Sequence, residues 1–168
     1  MKTTMMKMMP TFSDRIRIDF RRNRGLKFLE IPIVCEGSCS SDKILFLFDT
    51  GAYITVINRR LYKWFNLEKL PRTRVKISGY SGEADGYAFQ IPGLIVAHKL
   101  LTGVWAFTPK SWKQELNILG ENVLEYFMPF IDNPNDCIYF PANPRPNPYV
   151  NAGFSLACDG IMTVREPN

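Results

Sequence analysis

"ILFLFDTGAYITVI", Ile44 to Ile57, sets Asp49, Thr50 and Gly51 inside a stretch in which ten of fourteen residues are apolar. "KILFLFDTG" reads as a continuous apolar strand buried on both faces, and "AYITVI" as a β-branched strand leaving the turn. An isolated ionised carboxylate is costly in such a setting unless it finds partners or takes up a proton. Asp49 is therefore either a structural hydrogen-bonder or a functional group. As a structural residue it caps a turn by accepting from local N–H groups, with Gly51 supplying a positive φ. That explains a D-x-G turn but leaves unexplained why apolar strands run directly into and out of it.

Outward from this turn the chain is mostly short strands. Upstream, "RIRIDF" alternates charge and apolar residue as an edge strand does, and in "LKFLEIPIVCEG" Pro32 disfavours a central ladder position. "SCSSD" reads as a turn. Downstream, Asn58 is the predicted N-cap of a helix with Leu61, Trp64, Phe65 and Leu67 at helical spacing, ended by Pro71. "TRVKISGYSGEADGYAFQIPGL" predicts a hairpin with its tip around Gly79 to Gly82. "LIVAHKLLTGVWAFTP" supplies one or two more strands. "ELNILGENVLEYF" is a strand entering a short helix at Gly120, and "CIYF" a last core strand. "PANPRPNPYVN" is a linker, and the tail after it can close a hairpin around Asp159 and Gly160. These elements predict an all-β barrel or sandwich with one or two helices.

Composition narrows the function. The chain has 168 residues, and its 46% hydrophobic content supports one well-packed domain and argues against global disorder. The four cysteines, Cys35, Cys39, Cys137 and Cys158, have no C-x-x-C spacing and lie far from the single His98, which argues against zinc. No run is long and apolar enough for a signal peptide or a membrane span, so the expectation is a soluble cytoplasmic protein with reduced thiols and no membrane partner. The net charge of +5 does not by itself indicate nucleic-acid binding. A basic N-terminal arm for nucleic acid lacks interleaved aromatics beyond Phe12 and Phe20.

One chemistry uses a sheltered Asp-Thr-Gly turn. Two carboxylates sharing one proton hold a water between them; one takes a proton from it while the other donates to a peptide carbonyl oxygen. Two like charges a few Å apart do not both ionise readily, so the pair keeps its proton. A Thr50 hydroxyl can brace the turn, and Gly51 lets backbone approach carboxylate and substrate. The chain has a single D-T-G, and a two-fold axis bringing Asp49 against its own copy would supply the second carboxylate.

The sequence resembles the retropepsin-like aspartic proteases, the single-lobe dimeric relatives of pepsin, over roughly Phe28 to Phe140. "LFDTGAYITVI" is similar to the family's active-site strand and loop, and "NILGENVLEYF" to its second hallmark, in which an apolar-apolar-Gly segment crosses behind that loop. The resemblance implies an all-β single-lobe barrel with a flap hairpin and an endopeptidase homodimer without metal or organic cofactor. It implies Asp49, Thr50 and Gly51 as the catalytic turn, Leu119 and Gly120 as its support, and Ala52, Gly79, Tyr80, Ser81 and Gly82 near an extended peptide substrate. Residues 28–140 then form the protease domain, 1–27 a basic arm or edge strand, and 141–168 a linker and tail.

The sequence also departs from the family. The flap tip "SGYSGEADG" is less glycine-dense, and Tyr80 is either a flap aromatic or a plain hairpin side chain. Tyr53 replaces a small or acidic residue, which alters a pocket wall. The tail after Phe140 replaces, covers or extends a dimer interface, or is an inhibitory or processing segment. The alternative function is a catalytically silent dimer that binds peptides or assembles a complex.

Overall fold

The computed structural model describes residues 14–35, 38–79, 82–111, 116–144, 154–156 and 162–164. The chain forms β1 (Arg15–Asp19), β2 (Arg21–Asn23), β3 (Leu26–Cys35), β4 (Ser38–Phe48), β5 (Thr55–Val56), α1 (Arg59–Trp64), β6 (Arg72–Gly79), β7 (Gly82–Val96) and β8 (Lys99–Pro109). It continues with β9 (Asn117–Leu119), α2 (Glu121–Phe127), β10 (Phe130–Asp132), β11 (Cys137–Pro141), β12 (Phe154–Leu156) and β13 (Met162–Val164). This is the all-β architecture expected, with two short α-helices.

The main sheet has the order β2-β3-β4-β9-β5-β8-β7-β6, and β3 also pairs with β7 through Ile33↔Leu94 and Val34↔Gly93. That added pairing closes β3, β4, β9, β5, β8 and β7 into a ring. Pro32 sits where the β3–β4 register shifts, between Pro32 and Val34. A residue with no N–H to donate is tolerated at such an irregularity. Inside the ring Leu29, Ile33, Phe46, Ile57, Phe89, Ile91, Leu94 and Leu119 are almost wholly buried.

A second sheet, β1-β11-β10, joins the two ends of the domain. Ile18 pairs with Ile138 and Ile16 with Phe140, and the isoleucines of β1 pack against the main core. β1 is an edge strand, as its alternating pattern predicts. Asn58 caps α1, its side chain accepting from the Leu61 N–H at 2.7 Å. The helix buries Tyr62 against Phe89, with ring centroids 5.0 Å apart, and is followed by a 3₁₀ turn at Leu67–Lys69.

Two local expectations are corrected. "SCSSD" is the start of β4, not a turn: Ser38 pairs with Cys35 and Cys39 with Val34. Backbone pairing with β3 overrides the turn preference of its serines and aspartate. Nor is β4 buried on both faces. Phe46 is fully buried, but Ile44, Leu47 and Phe48 are half-buried and Leu45 is 47% exposed, because one face of the strand points away from the core.

Candidate active site

Asp49 follows directly on β4 and is half-buried. The chain turns at once: the Ala52 N–H donates to the Asp49 carbonyl at 3.3 Å, and the Gly51 N–H donates to Asp49 Oδ1 at 2.9 Å. The side chain is thus fixed by its own loop, as an Asx-type turn fixes it. Gly51 does not have the positive φ expected of it, since among the described glycines only Gly25, Gly82 and Gly103 do. A side chain is disfavoured there for another reason: a Cβ at position 51 would stand 3.3 Å from Asp49 Oδ1. Thr50 is exposed, and among the described residues its hydroxyl braces nothing within the chain.

Strand order explains how this loop is held. β9 lies between β4 and β5, parallel to β4 through Phe46↔Asn117, Leu47↔Ile118 and Phe48↔Leu119 and antiparallel to β5 through Val56↔Ile118. The chain leaving β4 must therefore pass over β9 before returning as β5, and Gly120 lies at the crossing. A Cβ on Gly120 would be 2.4 Å from the Ile54 carbonyl carbon and 2.7 Å from the Thr55 nitrogen. Leu119 is fully buried beside it.

α2 starts immediately after Gly120 and grips the loop with backbone donors. The Glu121 N–H donates to the Ala52 carbonyl at 2.7 Å and the Asn122 N–H to the Tyr53 carbonyl at 3.1 Å. The first N–H groups of a helix lack partners within it, and these two find them in the loop. Burial, and after it the neighbouring Glu125, pushes the Glu121 carboxyl above its ordinary range.

Sequence reasoning missed Asn122. Its Oδ1 accepts from the Thr55 N–H at 2.9 Å and the Thr55 hydroxyl at 3.0 Å, and its Nδ2 donates to the Trp105 carbonyl at 2.8 Å. Thr55 Oγ1 in turn accepts from the Gly120 N–H at 3.2 Å. One amide therefore joins the loop, the helix and β8. Asn117 plays a similar part lower down, accepting from the Asn58 N–H at 2.9 Å and donating to the Leu45 carbonyl at 3.2 Å.

β6 and β7 form the predicted hairpin, paired from Arg72↔Phe89 out to Gly79↔Gly82. Tyr80 and Ser81 lie outside the described residues. Gly82 has φ +113°, a conformation that glycine alone adopts freely. The hairpin's inner face carries Val75, Ile77, Ala84 and Ala88, which pack in one apolar cluster with Ile54, Val56, Phe107, Trp105 and Ile118. The residues just beyond the Asp-Thr-Gly turn therefore meet the underside of the hairpin. Ala52, at the start of this segment, is half-buried, while Tyr53 is 58% exposed. The arrangement offers a carboxylate fixed by its own turn, with the strand leaving that turn packed under the hairpin. Among the described residues no cluster of His, Cys, Asp or Glu has the makings of a metal site.

No family model matches the chain, and no curated protein matches its sequence. Solved structures do match. The crystal structure of a retropepsin-like aspartic protease from Rickettsia conorii superposes with a TM-score of 0.57 at 22% identity, over 75% of this chain and 90% of that one. The EIAV protease in complex with the inhibitor HBY-793 aligns at 15% identity over 62% of this chain and 90% of that one, with a TM-score of 0.45. The first likeness spans three quarters of this chain, and this chain has the single-lobe fold of the retropepsin-like aspartic proteases.

Proposed function

We propose that the protein is an aspartic endopeptidase, active as a homodimer in which each chain contributes one Asp49 carboxylate. The observation that carries this reading is the Asp-Thr-Gly turn itself: a side chain fixed by Gly51, backed by Gly120 and gripped by α2 within a retropepsin-like fold. A structural aspartate has no need of that much support at the end of a strand. The partner carboxylate must come from a second copy, since the described residues place one such turn per chain. Exposed Met128 and Phe130, 80% and 50% accessible, provide apolar surface for self-association. The exposed Thr50 hydroxyl is available to the same contact.

In the dimer one Asp49 is ionised and its twin protonated. The ionised carboxylate takes a proton from a water held between them, the water oxygen bonds to the scissile carbonyl carbon, and the twin donates its proton to the carbonyl oxygen. Collapse of the tetrahedral centre breaks the C–N bond as the amine takes up the proton from the first carboxyl and one hydroxyl of the diol returns a proton to the twin carboxylate, which restores the starting pair. The peptide lies extended between the catalytic loops and the two hairpins, near Ala52 and the tip at Gly79 to Gly82. Its apolar side chains meet Val56, Ile77, Ala84 and Ile118.

No helix among the described residues is long and apolar enough to cross a membrane. Cys35 and Cys137 are free and buried, and burial pushes the Cys35 thiol up, which keeps it protonated and inert. Two buried, unpaired thiols are compatible with the cytoplasmic setting proposed for the enzyme.

The test incubates full-length wild type and Asp49→Asn with an unstructured protein from about pH 4 to pH 8, with and without a statine-type inhibitor. Products are read by mass spectrometry and assembly by sedimentation. Cleavage is expected from wild type alone, with a loss of at least roughly 10²–10⁴-fold in the variant, and the inhibitor should block it. An Asn side chain still accepts from the Gly51 N–H, so the variant should dimerise normally. A confirmed dimer that binds peptide and never cuts it would establish the silent binding module instead.

A further inference from the structure

The inner face of the hairpin does not end at the apolar wall beside Asp49. Side chains alternate along a strand, so Thr73, Val75 and Ile77 of β6 share one face, and their neighbours Ala88 and Gln90 of β7 and Trp105 and Phe107 of β8 continue it through Thr73↔Ala88, Gln90↔Trp105 and Ala88↔Phe107. Val75 and Ile77 belong to the cluster next to the catalytic turn. Thr73, two residues back, lies instead in a groove of about 420 Å³ whose walls include Leu70, Pro71, Gln90, Pro92 and Trp105. That volume lies in the range of ligand pockets.

Three local features make the groove. Pro92 has no N–H for the β7–β8 ladder, and the paired residues pass from Ile91↔Val104 to Gly93↔Thr102 without it. Opposite it Gly103 has φ +64°, and a side chain there would meet only the Gln90 side chain, at 4.0 Å. Arg72 lines the rim, but its guanidinium is held on the other face, donating to the Tyr62 hydroxyl at 2.8 Å and lying 4.6 Å from the Tyr87 ring centre. The walls are thus an indole, two prolines and a leucine, with the Thr73 hydroxyl and the Gln90 amide as neutral polar groups and Arg72 at the rim.

Trp105 belongs to both regions. Its side chain packs against the cleft cluster and lines the groove, and its carbonyl is bonded by Asn122, which also holds Thr55 of the catalytic loop. We infer that the groove is a distal subsite for the peptide substrate, taking an uncharged apolar or proline side chain from the part of the chain remote from the scissile bond. This rests on the endopeptidase reading. From Ile77 to Thr73 is four strand residues, or about 13 Å. The recognised residue should therefore lie about four positions from the one under Ile77, on an extended substrate. Continuity with the cleft selects this occupant.

The probe is a peptide library made from a denatured bacterial proteome, cut by wild type and by Thr73→Tyr. Position 73 is exposed on a strand, where an aromatic residue is well tolerated, and the larger ring fills the groove. Wild type should select an apolar residue or proline at the distal position, and the variant should lose that selection while keeping its preferences beside the scissile bond. On matched peptides the distal residue should raise kcat/KM by about tenfold or more, mainly through KM, in wild type alone. Trp105→Leu should act in the same direction. Unchanged distal selection in Thr73→Tyr overturns the proposal. If wild type cuts nothing, the same library is captured on Asp49→Asn and on Asp49→Asn/Thr73→Tyr. Groove-dependent enrichment of the distal residue then upholds the subsite while the protease reading fails, and equal capture by both proteins removes the subsite as well.

Discussion

A methyl group at position 120 would collide with main-chain atoms of Ile54 and Thr55 rather than with a side chain able to swing away. Gly120→Ala should therefore cost about 1–3 kcal/mol, with part of the strain relieved by shifting the catalytic loop. Urea denaturation gives the first quantity, and a fall in kcat larger than the change in stability explains would report the second. Asn122→Ala removes three side-chain hydrogen bonds and leaves the N–H and hydroxyl of Thr55, which is fully buried, without their acceptor. A loss of about 2–4 kcal/mol is expected, read in the same denaturation experiment. Gly120 was legible in the sequence because it stands in an apolar-apolar-Gly run ahead of a helix. Asn122 was not, because an asparagine's role depends on what lies across from it. Here the partners are Thr55 and Trp105, 67 and 17 residues away in the chain, brought together only by the crossing of β9 behind the loop.

Among the elements, β2 and the turn ahead of β11 are joined by charge. Arg22 Nε donates to both Asp136 oxygens at 2.9 and 2.8 Å, and Lys27 lies 3.9 Å from one of them. The Arg22 hydrogen bond holds the Asp136 carboxyl below its ordinary value of 3.8. A depressed carboxylate pKa contributes stability above that ordinary value and loses it as pH falls through the folded value. The Tm of Asp136→Asn should thus lie below that of wild type at neutral pH, and the gap should close as the pH falls below that ordinary value. Asparagine tolerates the left-handed conformation at this position, where φ is +53°, so backbone strain should not obscure the comparison. Most elements were readable beforehand because period-two alternation, the Asn58 cap and the glycines of the hairpin tip are local signals. The turn joining β7 to β8 was not: it is made by Ala97 and His98, both at positive φ, with none of the Asn-Gly chemistry that marks such turns. Strand pairing on either side, from Val96↔Lys99 inward, imposes that conformation.

For the whole molecule, the proposed half-site per chain makes activity a matter of mass action. Diluted well below the dimer dissociation constant, the protein should lose specific activity in proportion to its concentration. A dilution series assayed beside sedimentation checks this, and specific activity independent of concentration in a monomeric sample would remove the shared site. The small sheet that joins the ends of the domain bears on how the protein is made. Ile18 pairs with Ile138, 120 residues further along the chain. Closing a loop of that length costs about 2 kcal/mol more than closing one of fifteen residues, and contacts this remote slow folding. During translation β1 emerges early and then waits, since its partner strand is among the last parts of the domain to leave the ribosome. Asp49 is likewise synthesised long before Gly120 and α2 arrive to fix its loop. A nascent chain therefore carries Asp49 unassembled until Gly120 and α2 have left the ribosome, so on the proposed reading no catalytic pair can form before then.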